Sequence, residues 1–373
     1  MSATLIAPGE RLGSQQATAG SAVTPRRARP VLWWASLGAA AVALQSWIYA
    51  SWVLSDDFRA VTTGADPVPG HDKTWAWILQ GACTAGALVA VVFVVRTCVR
   101  RRRLTLEAKI AIAWLAVMWM DPMANYFRPQ YMFNSYYINF GSWAGHIPGW
   151  ISRRGGNLPF ALGINLPSYT ASVLAAVAGA KLMGAVRARR PRMGTAGLVL
   201  VAWLFLSAVV FAVEDLLIHT GWLVWNGVPA VTLWGGGRSA IPLTEVLAWG
   251  GTQTALATLL FLKDDRGRVF VERGLERLNG PRWRLTAVSL FAVIGFATVA
   301  QAAYGVISAP LGFYVGRWTE VPSYIRNGVC GEGTPYRCPG PDVPVLLPGN
   351  PPGATAERPA GGGINLSPRR PGP

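Results

Sequence analysis

Among the acidic side chains in apolar runs of this chain, four stand out, because charge there is costly and therefore points to function. Asp121 closes the third such run, Glu214 and Asp215 lie near the end of the fifth, and Glu245 lies near the start of the sixth. The chemistry open to such a set is proton transfer. A carboxyl beside a low-dielectric cavity favours its protonated form and can serve as a general acid. A second carboxyl, better hydrated, stays ionised and can stabilise a cation, so that environment divides the roles. His219 follows Asp215 by one helical turn and shares its face, and His146 lies between the third and fourth runs.

Each group also has a purely structural role open to it. Asp121 precedes Pro122, the pattern of an N-cap with proline at the first helical position. Glu214 and Asp215 are adjacent, so on a helix they point about 100° apart and only one can aim straight at a given cavity. Glu245 can face lipid headgroups, and a lone His is commonly a satisfied polar residue. No H-x-x-x-H or E-x-x-H spacing is present, so no metal is expected.

Between Met120 and Trp150 runs "MDPMANYFRPQYMFNSYYINFGSWAGHIPGW". It is too polar to span a bilayer and too aromatic for an ordinary loop. Asn125, Asn134, Asn139, Tyr126, Tyr131, Tyr136, Tyr137, Ser135 and Ser142 interleave neutral donors and acceptors with ring surface. Such a lining suits a bulky, oxygenated, largely apolar ligand. An interfacial segment anchored by its Trp and Tyr would show the same composition.

The elements that must position these residues are membrane helices. The chain has 373 residues, 51% hydrophobic, with 17 Trp and only 14% charged. A soluble domain usually carries about a quarter charged residues. Seven runs approach the roughly 20 residues a crossing needs: 31–54, 75–96, 106–121, 167–186, 196–218, 241–262 and 285–308. The third is the shortest. An all-α polytopic bundle is therefore predicted, with a polar-aromatic lid over 121–150. Arg26, Arg27 and Arg29 precede the first run; Arg96 and Arg100 to Arg103 follow the second. Arg187, Arg189, Arg190 and Arg192 follow the fourth, and Lys263 to Arg284 follows the sixth. These clusters fall on one side only with seven crossings, the N-terminus cytoplasmic and the C-terminus outside. The net charge of +16 is thus spent on cytoplasmic loops, and no nucleic-acid motif accompanies it.

Residues 1–30 read as a disordered cytoplasmic segment leading into an uncleaved signal anchor. Residues 309–373 form an outer-side tail rich in Cys, Gly and Pro, disordered from about 344. Within it Cys330 and Cys338, in "NGVCGEGTPYRCPGP", can close a small disulfide loop in an oxidising compartment; two free thiols are the alternative. Cys83 and Cys98 read as small buried apolar residues.

The stretch from Asp121 to Trp150 resembles the signature of the AveC-like spirocyclase family. "FLKDDRGRVFVERGLERL" and "YIRNGVCGEGTPYRCPGP" are similar to that family's cytoplasmic loop and C-terminal cysteine motif. The likeness covers roughly residues 114–341. It implies a multi-pass membrane enzyme, here of a bacterial inner membrane, that closes a dihydroxy-ketone polyketide or similar lipophilic polyol into a spiroketal. In one branch such enzymes also dehydrate the product. No cofactor is implied; the partners are a lipophilic polyketide or lipid substrate and membrane lipid. The matching positions are Asp121, Pro122, Asn125, Tyr126, Asn134, Ser135, Ser142, Trp143, Pro148, Gly149 and Trp150. Glu214 and Glu245 correspond to the family's intramembrane acids, although "TEVLAWGG" lacks the Pro expected after the Glu. Asp121 and Glu214 are the expected acid/base pair, with Glu245 third. Asn125, Tyr126, Asn134, Ser135, Ser142, Trp143 and Trp150, with Asp215 and His219, are the expected substrate contacts. A transporter or scaffold for a lipid or polyketide, or another acid-base lipid dehydratase or isomerase, would use the same acids. The internal repeats common in transporters are not visible in the sequence.

Overall fold

The computed structural model describes residues 30–226, 231–234, 239–314, 321–330 and 334. Helices dominate: α1 Pro30–Val53, α2 Gly70–Arg101, α3 Leu106–Val117, α4 Leu162–Arg189, α5 Thr195–His219, α6 Leu243–Phe261, α7 Arg282–Ser308 and the short α8 Ser323–Arg326. Five segments among the described residues are long and apolar enough to cross a membrane: α1, α2, α4, α5, and α7 with the turn that follows it. The long helices coincide with the apolar runs to within a few residues. The signals are local ones, such as Thr105, whose hydroxyl accepts the Ala108 N–H at the start of α3, and Arg102, which ends α2 in the left-handed region.

The third run behaves differently from a simple helix ending at Asp121. After Val117 the chain tightens into a 3-10 segment, Met118–Asn125, with Pro122 inside it. Proline has no N–H to offer the carbonyl four residues back and disfavours α geometry in the residue before it. The α-helical pattern therefore gives out just before Asp121. The carboxyl of Asp121 is not a cap: its oxygens take hydroxyls from Tyr131 and Tyr169.

Helix α4 lies centrally, packed on α2, α3, α5 and α6, while α6 also meets α5 and α7, and α1 lies along α7. The α1–α7 crossing is close because glycines face each other. A Cβ on Gly38 would strike the Phe291 carbonyl, and one on Gly295 would strike that of Trp34. Small residues at such crossings let backbones approach where lipid supplies no hydrophobic drive.

The segment after α3 folds over one end of the bundle. Its strand β1, Tyr131–Phe133, pairs antiparallel with β2, Leu223–Trp225, placing Tyr131 opposite Trp225 and Phe133 opposite Leu223. Alternation then sorts the side chains. Met132 and Val224 point into a small core with Val68, Leu158, Tyr324 and Ile325, and the other four point toward the helices. A second two-stranded ribbon, β3 Thr232–Leu233 with β4 Ile241–Pro242, leads into α6. Cys83 and Cys98 are free thiols. Cys330 is disulfide-bonded, whereas Cys338, the N-terminal segment and the tail from about 344 lie outside the described residues.

Candidate active site

Asp121, Glu214 and Glu245 come from three separate elements and line one cavity of about 310 Å³. Each carboxyl is held by an aromatic donor. The Tyr169 hydroxyl donates to Asp121 Oδ1 at 2.7 Å, and the Tyr131 hydroxyl is shared between Oδ2 at 3.2 Å and the Asp121 carbonyl at 3.1 Å. The Trp225 indole N–H donates to Glu214 Oε1 at 2.8 Å. The Tyr304 hydroxyl donates to Glu245 Oε2 at 2.7 Å. Rings of two χ angles hold a carboxyl with little conformational freedom left. Glu245 is 8% exposed, so it faces inward and not toward headgroups.

The three acids are within electrostatic reach of one another. Among the described residues lining the cavity there is no Lys, Arg or His. Nor, among the described residues, do three His, Cys, Asp or Glu converge closely enough to hold a metal ion. The acids thus surround a space without meeting in it. Three carboxyls around one low-dielectric volume repel when ionised, and a cation formed among them relieves that repulsion.

The remaining wall is mostly aliphatic and aromatic: Leu206, Val209, Val210 and Val213 of α5, Trp249 of α6, and Phe133 and Trp222 of the roof. Val209 and Val213 line the cavity and yet are 37% and 52% exposed on the outside of the bundle. On that side these two α5 side chains stand between the cavity and the surface that lipid would cover.

The other expected contacts are placed differently. Asn125 donates to the Tyr131 carbonyl and accepts the N–H groups of Gln130 and Tyr131. Asn134 bonds the Gly221 carbonyl and the Tyr136 N–H. Ser135 donates to backbone carbonyls of Thr62 and Tyr324, and Ser142 accepts the Ala144 N–H. The Tyr126 hydroxyl donates to the Gly149 carbonyl, and Trp150 stands edge-on to the Tyr126 ring. Trp143 is buried against Tyr49, Trp52 and Phe160, its N–H on the Trp119 carbonyl. None of these seven lines the cavity. Asp215 and His219 pair with each other at 3.2 Å on the outside of α5, also away from it. His146 meets Ser55 and Asp57. The reason is general: a buried segment without a repeating ladder must satisfy its backbone groups with side chains. Here the Asn and Ser residues are consumed in doing so. Asn125→Ala should accordingly behave as a folding variant. Loss of three buried hydrogen bonds is expected to cost about 1–3 kcal/mol, read as a lower midpoint of thermal unfolding in detergent.

With this geometry in hand, the comparison with known families is decisive: the sequence model described as spirocyclase AveC-like matches residues 101–320. The chain belongs to the AveC-like spirocyclase family. No curated protein and no solved structure matches it. The matched region of this AveC-like chain holds all three carboxyls and the aromatic donors that hold them.

The sequence reading passed over several residues of the AveC-like cavity: Tyr169, Tyr304, Trp225, Gln253 and the polar stripe of α4. A signal existed for most of them. Asn165, Ser168, Tyr169 and Ser172 recur at i, i+3, i+4 and i+7 in an otherwise apolar helix, the spacing of one face, and all four line the cavity. Tyr304 and Gln253 are polar side chains inside apolar runs, where polar groups turn inward. Trp225 carried no such mark; only the β1–β2 pairing places it.

Proposed function

We propose that this protein is a membrane-embedded cyclase that closes a lipophilic dihydroxy-ketone into a spiroketal by carboxyl acid/base chemistry. The observation that carries the proposal is a cavity with three carboxyls and, among its described lining residues, no cationic side chain. One hydroxyl of the substrate adds to the ketone to give a hemiketal. A protonated carboxyl delivers its proton to the hemiketal hydroxyl, water leaves, and an oxocarbenium ion remains. The second hydroxyl attacks that carbon and loses its proton to a carboxylate, so that one water is lost overall. Asp121, with two phenolic donors, has the hydrogen bonds that an anionic carboxylate needs and stabilises the cation. Glu214, held by one indole N–H, supplies the proton, and Glu245 serves as the reserve acid opposite. The aromatic and aliphatic walls fold the chain for one face of attack. Dehydration of the product would need one carboxyl to protonate the departing hydroxyl and a carboxylate to take a proton from the adjacent carbon.

The bundle crosses a bacterial inner membrane seven times, with α3 plus its 3-10 extension and α6 as the two shorter crossings. The basic clusters support an N-terminus in the cytoplasm. Substrate reaches the acids sideways, between α4 and α5, from the bilayer in which a lipophilic polyketide dissolves. The test is conversion of a synthetic long-chain dihydroxy-ketone by purified protein in lipid nanodiscs. The expected product has lost one water and is a single spiroketal diastereomer. A rate and diastereomer ratio equal to those of empty nanodiscs would refute cyclase activity.

A further inference from the structure

The cavity has a chemical end and a blind end, and helix geometry gives the distance between them. On α5 its lining runs from Glu214 back to Leu206, and on α6 from Glu245 on to Gln253. Each span is eight residues, so two helices of opposite direction both put about 12 Å between the acids and the far end. The Glu214 and Leu206 side chains lean the same way along α5, which keeps that separation at their tips. At the near end the carboxyls lie with Trp222 and Trp225 of the ribbon. The far half, apart from the Gln253–Ser172 pair, is hydrocarbon, with Val210 and Leu206 facing Ala171 and Ala175 of α4. Leu206 closes it, with its side chain 1% exposed. One turn beyond Ala175 comes Gly179, where a Cβ would fall 2.9 Å from both Leu206 Cδ1 and the Ala257 Cβ. Helices α4, α5 and α6 meet there without room for a methyl group, an approach that small residues permit. Leu206 lies on that contact as a floor.

We infer that the blind end is a measuring pocket, in which Leu206 and Ala175 set the length of apolar arm a ligand can carry with its oxygenated head among the acids. The substrate class follows. It is an oxygenated head on an unbranched hydrocarbon arm of at most about ten carbons, since a fully extended chain advances ~1.2 Å per bond. A longer arm meets the floor and draws the head away from the carboxyls. Packed interiors have no voids to take the surplus carbons, and forcing them in is costly. The pocket rests on the proposed function only for the identity of the head.

The test uses binding alone, so that it stands apart from turnover. The probes are methyl n-alkyl ketones from methyl hexyl to methyl tetradecyl ketone, none of which carries the hydroxyls that a spiroketal requires. Each is titrated calorimetrically into nanodiscs holding wild-type, Leu206→Ala or Ala175→Leu protein. Comparing proteins at one probe cancels the partitioning of that probe into lipid. Wild-type affinity is expected to fall by about tenfold within about two carbons beyond methyl decyl ketone, the size of an overpacking penalty. Leu206→Ala should move that edge about two carbons longer and Ala175→Leu about two carbons shorter, while methyl hexyl ketone binds all three alike. Opposite shifts do not arise from a general loosening of the fold. Leu206→Val, a smaller excision at the packed floor, should move the edge by about one carbon in the same direction as Leu206→Ala. An edge at the same length in every protein would overturn the pocket. So would a wild type that shows no edge because the arm passes out to lipid, or one that binds no ketone. A shifting edge in a protein that does not cyclise the dihydroxy-ketone would retain the pocket and remove the cyclase. Cyclisation by a protein without an edge would do the reverse.

Discussion

Asp121→Asn is expected to lower spiroketal formation by about 10²- to 10⁴-fold, the usual contribution of a positioned acid or base, while leaving the fold intact. The change is isosteric. The amide oxygen still accepts the Tyr169 hydroxyl that now reaches Oδ1 at 2.7 Å, so the 3-10 segment and α4 stay joined. On the proposed mechanism, what disappears is the negative charge beside the forming cation. Tyr169→Phe makes the complementary change. It keeps the carboxylate and removes one of its two phenolic donors, so a smaller loss of about tenfold is expected. Glu214→Gln should match Asp121→Asn in size, since both ends of the proton relay are needed. Spiroketals also form without a catalyst, which makes product geometry as telling as rate. As the enzyme weakens, the diastereomer ratio should drift toward the uncatalysed mixture. Each variant needs a thermal unfolding midpoint near wild type for its rate to count. A well-folded Asp121→Asn protein with wild-type rate and ratio would remove Asp121 from the chemistry.

The sequence pointed to this site through one physical regularity: charge inside an apolar run is expensive, so Asp121, Glu214 and Glu245 stood out. They share a cavity because α4 is central and the elements bearing the acids, α5, α6 and the turn after α3, meet it or its neighbours. That convergence is tertiary and leaves no mark in spacing. The helices were legible because bilayer thickness imposes a length on apolar runs. The tight turn at Pro122 was legible too, but was open to a capping role that the phenol contacts of Asp121 now replace. The segment after α3 misled in an instructive way. Its amides and hydroxyls looked like a ligand lining, and composition alone does not separate groups that meet a substrate from groups that meet the backbone. Asn125, with three backbone partners, is of the second kind. Tyr131 and Phe133, two residues apart on β1, line the cavity instead, and only the register with Leu223–Trp225 assigns them there.

A different vulnerability lies outside the cavity, in the loop between α6 and α7. Glu272 is buried there and receives the Lys109 ammonium at 2.8 Å and the Ser289 hydroxyl, which itself accepts from Lys109. Its other oxygen takes the Val269 N–H at 3.3 Å. The cluster ties α3, the loop and α7 together. Glu272→Ala leaves a buried ammonium without its anion, and such a loss is expected to cost about 3–5 kcal/mol. Removing both charges is a milder change: Glu272→Leu combined with Lys109→Met should recover most of that stability, because neither charge then has to be desolvated. Acid separates the two proteins further. Burial pushes the Glu272 carboxyl up, but Lys109, Ser289 and the Val269 N–H outweigh it and hold the group below the usual glutamate range. A group depressed on folding adds stability above its unfolded pKa, about 4.3, and loses it as pH falls through the folded value. Wild-type protein in detergent should therefore lose more of its unfolding midpoint between about pH 5 and pH 3 than the doubly substituted protein does. Parallel acid profiles, or a double variant no more stable than Glu272→Ala, would mean that this buried pair does not hold the loop to the bundle.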